Sequence, residues 1–288
     1  MACFLELASW LVRRLSLRAA LGLGRALGWI WYHLIPVRRK VALDNLRRAF
    51  PDMQPAERRA VARRCFCHWA CAAMELLRLP DLDARRVEAL IEHRGLEHLE
   101  RARKRGRGVI VATAHFGSFD LMACAEAIAG HPLHVLTREQ RSKSVNRFWM
   151  RVREASGLGF LPVKGSALRV HRLLGQERIV AMMIDQHMPE GRGIWVPFFG
   201  QPASTTHAPA VMALGSGAPI LPVRVERLSG GRHRVQIEPM IEARKGEPRQ
   251  AEVERITRAL NAWLEGCVRE RPDHWLWIHR RWKAPPGV

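Results

Sequence analysis

The 288-residue chain has no uninterrupted apolar run of the ~18 residues that a membrane-spanning helix needs, which excludes a polytopic membrane protein. Glycine (22) and proline (17) are too few for a collagen-like or low-complexity fibre. Lysine is scarce: of 47 basic residues only six are Lys, leaving 41 Arg, and tyrosine occurs once. The sequence contains no G-x-S-x-G, which argues against a serine-hydrolase elbow. It contains no G-x-x-x-x-G-K-S/T and no H-E-x-x-H, and no glycine fingerprint follows a strand, which argues against the common nucleotide and zinc-protease sites. Residues 1–30 hold no compact apolar stretch ahead of a small-residue cleavage site, so no secretory signal is read there. The six cysteines, at 3, 65, 67, 71, 124 and 267, are then read as reduced thiols of a cytosol-facing protein.

What is present begins with charge. The formal net charge is 47 − 27 = +20, an excess that calls for a polyanionic partner: nucleic acid, an anionic membrane surface or an acidic protein. With 48% hydrophobic residues the chain is foldable, and its length allows one or two domains with a sizeable core. Cys65, Cys67, His68 and Cys71 crowd together, but Ala56 to Leu79 reads as one helix. Cys67 and Cys71 share a face of it and Cys65 points elsewhere, so the four are read as small buried groups, with no metal.

Residues 1–35 differ from the rest. On one continuous helix, Arg14, Arg18 and Arg25 would form a narrow basic stripe beside Leu15, Leu21, Leu27, Trp10, Trp29, Trp31 and Tyr32. A basic stripe with a wide apolar face and clustered Trp describes a helix at a membrane interface, and Arg38, Arg39 and Lys40 favour an anionic cytoplasmic leaflet. Residues 36–92 read as helical, with breaks near Pro51 and Pro80. From 93 to 288, short β-branched runs alternate with helical stretches. The strands expected are Gly108–Ala114, Leu133–Thr137, Ile179–Ile184, Ile194–Phe199, Ile220–Val225 and Arg234–Glu238. An amphipathic helix is expected over Glu252–Val268. Strands alternating with helices argue a single α/β domain whose sheet is covered on both faces, preceded by a helical membrane-seeking extension.

The stretch Ala114–His115–Phe116–Gly117–Ser118–Phe119–Asp120 lies where the first expected strand ends and a helix begins, the edge at which open α/β sheets place their sites. A turn at Gly117 can bring Asp120 to one imidazole nitrogen of His115. That fixes the tautomer and raises the basicity of the other nitrogen, which then abstracts a proton from a substrate hydroxyl. Amides at Gly117 and Ser118 are candidates to face a developing oxyanion.

Gly95 to Asp120 resembles the corresponding stretch of the lipid A late acyltransferases, the lauroyl and myristoyl transferases of the lysophospholipid acyltransferase superfamily. Further similarities follow in order: Thr137–Arg138 opening a basic segment that ends at Arg153–Gly157; Ile184–Asp185–Gln186; Val196–Ala203 with its Phe198–Phe199–Gly200; Ala218–Val223; and Trp277–Lys283. The resemblance implies an α/β fold with a single mixed-sheet acyltransferase domain flanked by helices. It implies transfer of a fatty acyl group from acyl carrier protein to a hydroxyl of a lipid A precursor, with His115 as general base, Asp120 as its partner and no cofactor. Its partners are then acyl carrier protein, an anionic glycolipid acceptor and the inner-membrane surface on the cytoplasmic side. The family often carries Glu where this chain has Asp120. A relative acting on another lysolipid or glycolipid acceptor is the alternative. Nucleic-acid binding is disfavoured, because stacking aromatics in a basic groove are lacking.

The basic segment Arg138–Arg153 also includes Arg141, Lys143, Arg147 and Arg151 against a single acid, Glu139. On a helix from about 142, Lys143, Arg147 and Arg151 share a side, which Asn146 and Arg153 are expected to extend. Bidentate Arg suits the phosphates and carboxylates of the implied acceptor. The expected substrate contacts are Arg138, Asn146, Arg147, Arg153, Asp185, Gln186, Phe199 and Gly200, with the two phenylalanines of the last block lining an acyl path.

Overall fold

A computed structural model describes residues 2–35, 37–140, 142–244 and 246–283; Arg141 of the basic segment, and the side chain of Cys3, lie outside the described residues. The chain opens with helices α1 (Ala2–Arg14) and α2 (Leu17–His33). Ser16 parts them. Its backbone is extended and its hydroxyl accepts the Ala19 amide (3.2 Å), an N-cap that starts a new helix. The stripe expected through Arg14, Arg18 and Arg25 is therefore broken: Arg14 ends α1, its guanidinium 3.5 Å over the Trp10 ring, and the other two lie on α2.

Helices α3 (Arg39–Ala49) and α4 (Pro55–Leu77) follow, and α2 packs along α4. The approach is close because it is made at glycines. A Cβ at Gly24 would stand 2.9 Å from Cys71 Cα, and one at Gly28 would stand 2.3 Å from Cys67 Cα. Cys67 and Cys71 are thus the small residues on the other side of a helix crossing, their thiols near the carbonyls of Arg25 (3.5 Å) and Leu21 (3.4 Å). Cys65 turns the other way, to the Trp275 carbonyl (3.2 Å). Tyr32 and Trp31, expected on the membrane-facing side, face the core instead: Tyr32 is buried and Trp31 lies 4.6 Å from the Phe66 ring. Phe4, Leu7, Trp10, Leu11, Leu27 and Trp29 remain exposed. Among the described residues no helix is long and apolar enough to cross a membrane.

The remainder alternates helices and strands: α5 (Ala84–Leu90), β1 (Ile91–Arg94), α6 (Leu96–Arg103), β2 (Val109–Thr113), α7 (Phe119–Ile128), β3 (Leu133–Thr137), α8 (Lys143–Glu154), β4 (Gly159–Pro162), α9 (Ala167–Gly175) and β5 (Ile179–Met183). The hairpin β6 (Ile194–Phe198) and β7 (Gln201–Thr205) comes next, then α10 (Ala208–Ser216), β8 (Ile220–Arg227), β9 (His233–Ile237) and α11 (Arg249–Glu270). Seven strands form one sheet in the order β1-β9-β8-β2-β5-β3-β4. Within this sheet, among the described residues, β8 and β9 pair antiparallel and the other neighbours pair parallel, so the fold is α/β with a mixed sheet flanked by helices.

The strand pattern explains the two covering layers. Ile110, Ala112, Val180, Met182 and Ile220 enter one core with Phe66 of α4 and Leu260 and Leu264 of α11. Their alternating neighbours Val109, Ile179, Ala181 and Leu221 enter a second core with Leu121 of α7 and Phe148 and Val152 of α8. Both faces are buried, which is why these strands read as nearly continuous apolar runs. β1 and β4 sit at the sheet edges and β7 is half of a separate hairpin, so none carries that signal.

Candidate active site

His115 and its partner are delivered by strand register. β2 and β5 are parallel neighbours with Thr113 opposite Met183, and the Ile184 amide donates to the Thr113 carbonyl (2.9 Å) just beyond. Two residues further, past the carboxyl ends of both strands, His115 meets Asp185. The His115 amide donates to Asp185 Oδ2 (3.0 Å), and His115 Nδ1 lies 2.8 Å from Oδ1. Trp275 Nε1 donates to the same Oδ2 (3.0 Å), and the Leu276 amide donates to the His115 carbonyl (3.1 Å).

The charges follow from burial and pairing. Burial alone would raise the Asp185 carboxyl, but His115 and the donors around it hold it below its ordinary value. Burial likewise opposes charge on His115, and Asp185 overcomes that, lifting the imidazole above its ordinary value. An ionised Asp185 only accepts, so the proton of neutral His115 sits on Nδ1 and the Nε2 lone pair is left for the cleft. The Gln186 side-chain amide lies 3.4 Å from that Nε2.

Asp120 does not take the place on Nδ1 that the sequence expectation gave it. As the second residue of α7 it is ion-paired with Arg153 of α8, beside His115 rather than bonded to it. Burial pushes its carboxyl up against the pull of Arg153. Arg153 is itself buried and stacks 4.7 Å over the Trp149 ring. It therefore lies on the side of α8 turned to the cleft, whereas Lys143 and Arg147 are exposed and Arg151 is ion-paired with Glu6 of α1. Asn146 faces a local task, its Oδ1 accepting the Gln140 amide (3.0 Å).

The turn between β2 and α7 is built for close contact. Gly117 has φ +63°, and a Cβ there would fall 2.0 Å from the Val225 carbonyl oxygen. Its amide donates to the His274 carbonyl (3.1 Å), so that proton is not available to an oxyanion as expected. The Ser118 hydroxyl donates to Glu75 (2.6 Å) and accepts from Arg227 (2.7 Å) in a buried network completed by His233. Burial alone would raise the Glu75 carboxyl; His233 and Arg227 reverse that and hold it at about 2.

The cleft above the dyad has a volume of about 790 Å³ and brings together His115, Asp120, Arg138, Arg153 and Gln186, with Trp149 and His279. A narrow apolar cavity of about 110 Å³ runs beneath α7, lined by Val111, Val135, Phe160, Ile179 and Leu221 among others; Asp120 and Arg153 border both spaces. Phe199 and Gly200 border neither. They form the two-residue turn of the β6–β7 hairpin, both with positive φ (52° and 68°), and the Phe199 ring packs on Phe50 (5.2 Å). Trp275 and His279 went unassigned in the sequence reading, although the Trp277–Lys283 block was singled out there. Their roles depend on contacts 90 or more residues away.

An α/β protein with a histidine–carboxylate pair at its strand ends, in a cleft of mixed lining that adjoins an apolar cavity through Asp120 and Arg153, offers room for an amphiphile. Residues 2–284 match the family of bacterial lipid A biosynthesis acyltransferases, and the chain belongs to that family, whose members acylate lipid acceptors. It is 26% identical over 286 residues to the lipid A biosynthesis lauroyltransferase of Escherichia coli (strain K12), covering 97% of this chain and 90% of that protein. It is also 26% identical over 217 residues to the phosphatidylinositol mannoside acyltransferase of Mycobacterium tuberculosis (strain ATCC 25618 / H37Rv), covering 73% of this chain and 66% of that protein. The solved 1-acyl-sn-glycerophosphate (LPA) acyltransferase of Thermotoga maritima is 15% identical with a TM-score of 0.34, over 87% of this chain and 98% of that one, a likeness too loose to bear on the fold.

Proposed function

We propose that this enzyme transfers a fatty acyl group from the thioester of acyl carrier protein to a hydroxyl of a lipid A precursor at the cytoplasmic face of the inner membrane. The observation that carries the reading is His115 Nε2, freed for base chemistry by the Nδ1–Asp185 bond, in a cleft whose wall it shares with Asp120 and Arg153, the pair that also borders the apolar cavity. His115 Nε2 takes the hydroxyl proton as the oxygen attacks the thioester carbonyl. The tetrahedral intermediate then collapses: the carbon–sulfur bond breaks, and the proton held on Nε2 passes to the departing thiolate. The acyl chain lies in the apolar cavity beneath α7, and Arg138 at the cleft rim meets an anionic group of the acceptor. Asp120 and Arg153 act as one ion pair that shapes the passage between cleft and cavity. The exposed apolar side chains of α1 and α2, flanked by Arg14, Arg18 and Arg25, support peripheral membrane contact.

The equal identity to a phosphatidylinositol mannoside acyltransferase supports a second acceptor class, a phosphoglycolipid. Purified protein incubated with acyl-carrier-protein or coenzyme A thioesters and either acceptor, with product mass read out, separates these. The expected result is transfer from the carrier-protein thioester to the lipid A precursor, abolished in His115→Ala. Near-normal transfer by a folded His115→Ala protein would overturn the mechanism.

A further inference from the structure

We infer that His279 is a further catalytic residue, donating its Nδ1 proton to the oxygen of the tetrahedral intermediate. The inference rests on the acyl-transfer reading, because that chemistry creates the oxyanion. The need for such a donor arises from the structure: the Gly117 amide is spent on the His274 carbonyl (3.1 Å), and neither Gly117 nor Ser118, whose amides were the expected donors, borders the cleft. His279 does border it, beside His115 and Gln186.

Its tautomer follows from one contact. The His187 amide donates to His279 Nε2 (3.3 Å). An amide nitrogen can only donate, so Nε2 must offer a lone pair and the ring proton of neutral His279 sits on Nδ1. Among the described residues no protein acceptor takes that proton, and Nδ1 is not one of the atoms sealed in the interior without a partner. Burial holds His279 down at about 4 against the opposing pull of Asp185, with His115, Arg281 and Lys283 adding to the lowering, so the ring is neutral at working pH. A neutral imidazole N–H fixed in a partly desolvated site suits a developing oxyanion, because it is already oriented before charge appears.

The backbone that carries the ring is anchored on both sides. Asn45 Nδ2 donates to the His279 and Trp277 carbonyls (2.6 and 2.7 Å), and the buried Arg281 donates to the Ser204 carbonyl (2.6 Å). The segment that carries Trp275 to Asp185 therefore also carries His279 to the cleft, and one loop serves both the base and the oxyanion donor.

Two near-isosteric substitutions separate catalysis from support. Asn ends two bonds beyond Cβ, where Nδ1 stands, so His279→Asn keeps a donor at that place and loses the partner of the His187 amide. Gln reaches the position of Nε2, so His279→Gln keeps that partner and loses the donor. The turnover of His279→Ala and His279→Gln should fall by ~10²–10³-fold with Michaelis constants nearly unchanged, and His279→Asn should recover at least ~tenfold over Gln. A Gln variant equal to wild type, or better than Asn, would overturn the role. A measurement independent of the variants' folding is ¹⁵N NMR of the wild-type histidines, which should show His279 with its proton on Nδ1; a proton on Nε2 would also overturn it. Absence of acyl transfer by the wild-type enzyme would instead bring down the acyltransferase reading and this role with it, whereas transfer that survives in the Gln variant removes this role alone.

Discussion

Asp185→Asn is the perturbation that most directly tests how the base is held. Asp185 is buried and accepts three hydrogen bonds, from the His115 amide, His115 Nδ1 and Trp275 Nε1. Asn can accept at one oxygen only, and its amide must point at another donor. The loss of one or two such bonds costs ~1–3 kcal/mol, a few degrees in unfolding temperature for a chain of this size. The effect on turnover should be far larger. Without a carboxylate on Nδ1 the imidazole has no reason to keep its proton there, and losing the productive tautomer is worth up to ~10⁴ in turnover. The pH profile carries a separate signature. Asp185 lifts His115 above its ordinary value, so the active neutral form is lost as pH falls through that raised value. Removing Asp185 should move the acid limb of kcat/KM to lower pH while the plateau drops. Asp120→Asn should show a different balance: it strands the buried Arg153, costing ~3–5 kcal/mol of stability, and shifts the limb in the same direction but less, because Asp120 raises His115 less than Asp185 does. The assay is acyl transfer across pH 5–9 with thermal melts of each variant. Wild-type turnover and an unmoved limb in Asp185→Asn, with the loss found in Asp120→Asn instead, would refute the reasoning.

Two further outcomes follow from other parts of the molecule. Glu75 is held at about 2, below its ordinary 4.5, so its contribution is full above about pH 4.5 and is lost as pH falls toward 2. Glu75→Gln should cost ~3–5 kcal/mol at neutral pH, by stranding Arg227 and His233, and should flatten the fall in unfolding temperature between pH 4.5 and 2; an unchanged melt at pH 7 would count against the network. Leu7 and Trp10, each about half exposed (53% and 48%), are expected to enter the lipid interface. At ~1.5 kcal/mol or more for each apolar side chain withdrawn, Leu7→Ser with Trp10→Ser should weaken flotation with anionic vesicles in high salt ~100-fold, and unchanged flotation would place the anchor elsewhere.

The parts of this fold legible in the sequence are those that announce themselves locally. β2, β5 and β8 are buried on both faces and appear as apolar β-branched runs, and α11 shows a one-sided stripe. His115 was visible because a strand, a glycine turn and a helix follow one another within a dozen residues. Its carboxylate partner was expected at Asp120 and is Asp185 instead, 70 residues away and brought in through the pairing of two strands. Asp120, five residues on, is nearer in sequence, yet the rise into α7 carries its carboxylate to Arg153. Arg153 was placed with the outward stripe of α8, although it follows Trp149 by four residues and shares that inward side. The Phe198–Phe199–Gly200 block looked like an acyl path, but positive φ at two successive residues makes it a hairpin turn. The break at Ser16 depended on a hydroxyl choosing to cap rather than to continue a helix.

The segment Trp275–Arg281 has a consequence for when the enzyme becomes active. It follows every strand of the sheet in the chain, yet it supplies the indole that steadies Asp185 and the backbone amide that fastens the His115 carbonyl. A ribosome-bound chain that has emerged only through α11 already has β2 and β5, but the dyad between them lacks its clasp. Proteolytic loss of this strap should therefore silence the chain, removing the clasp on the dyad together with two buried tryptophans of the core, Trp275 and Trp277.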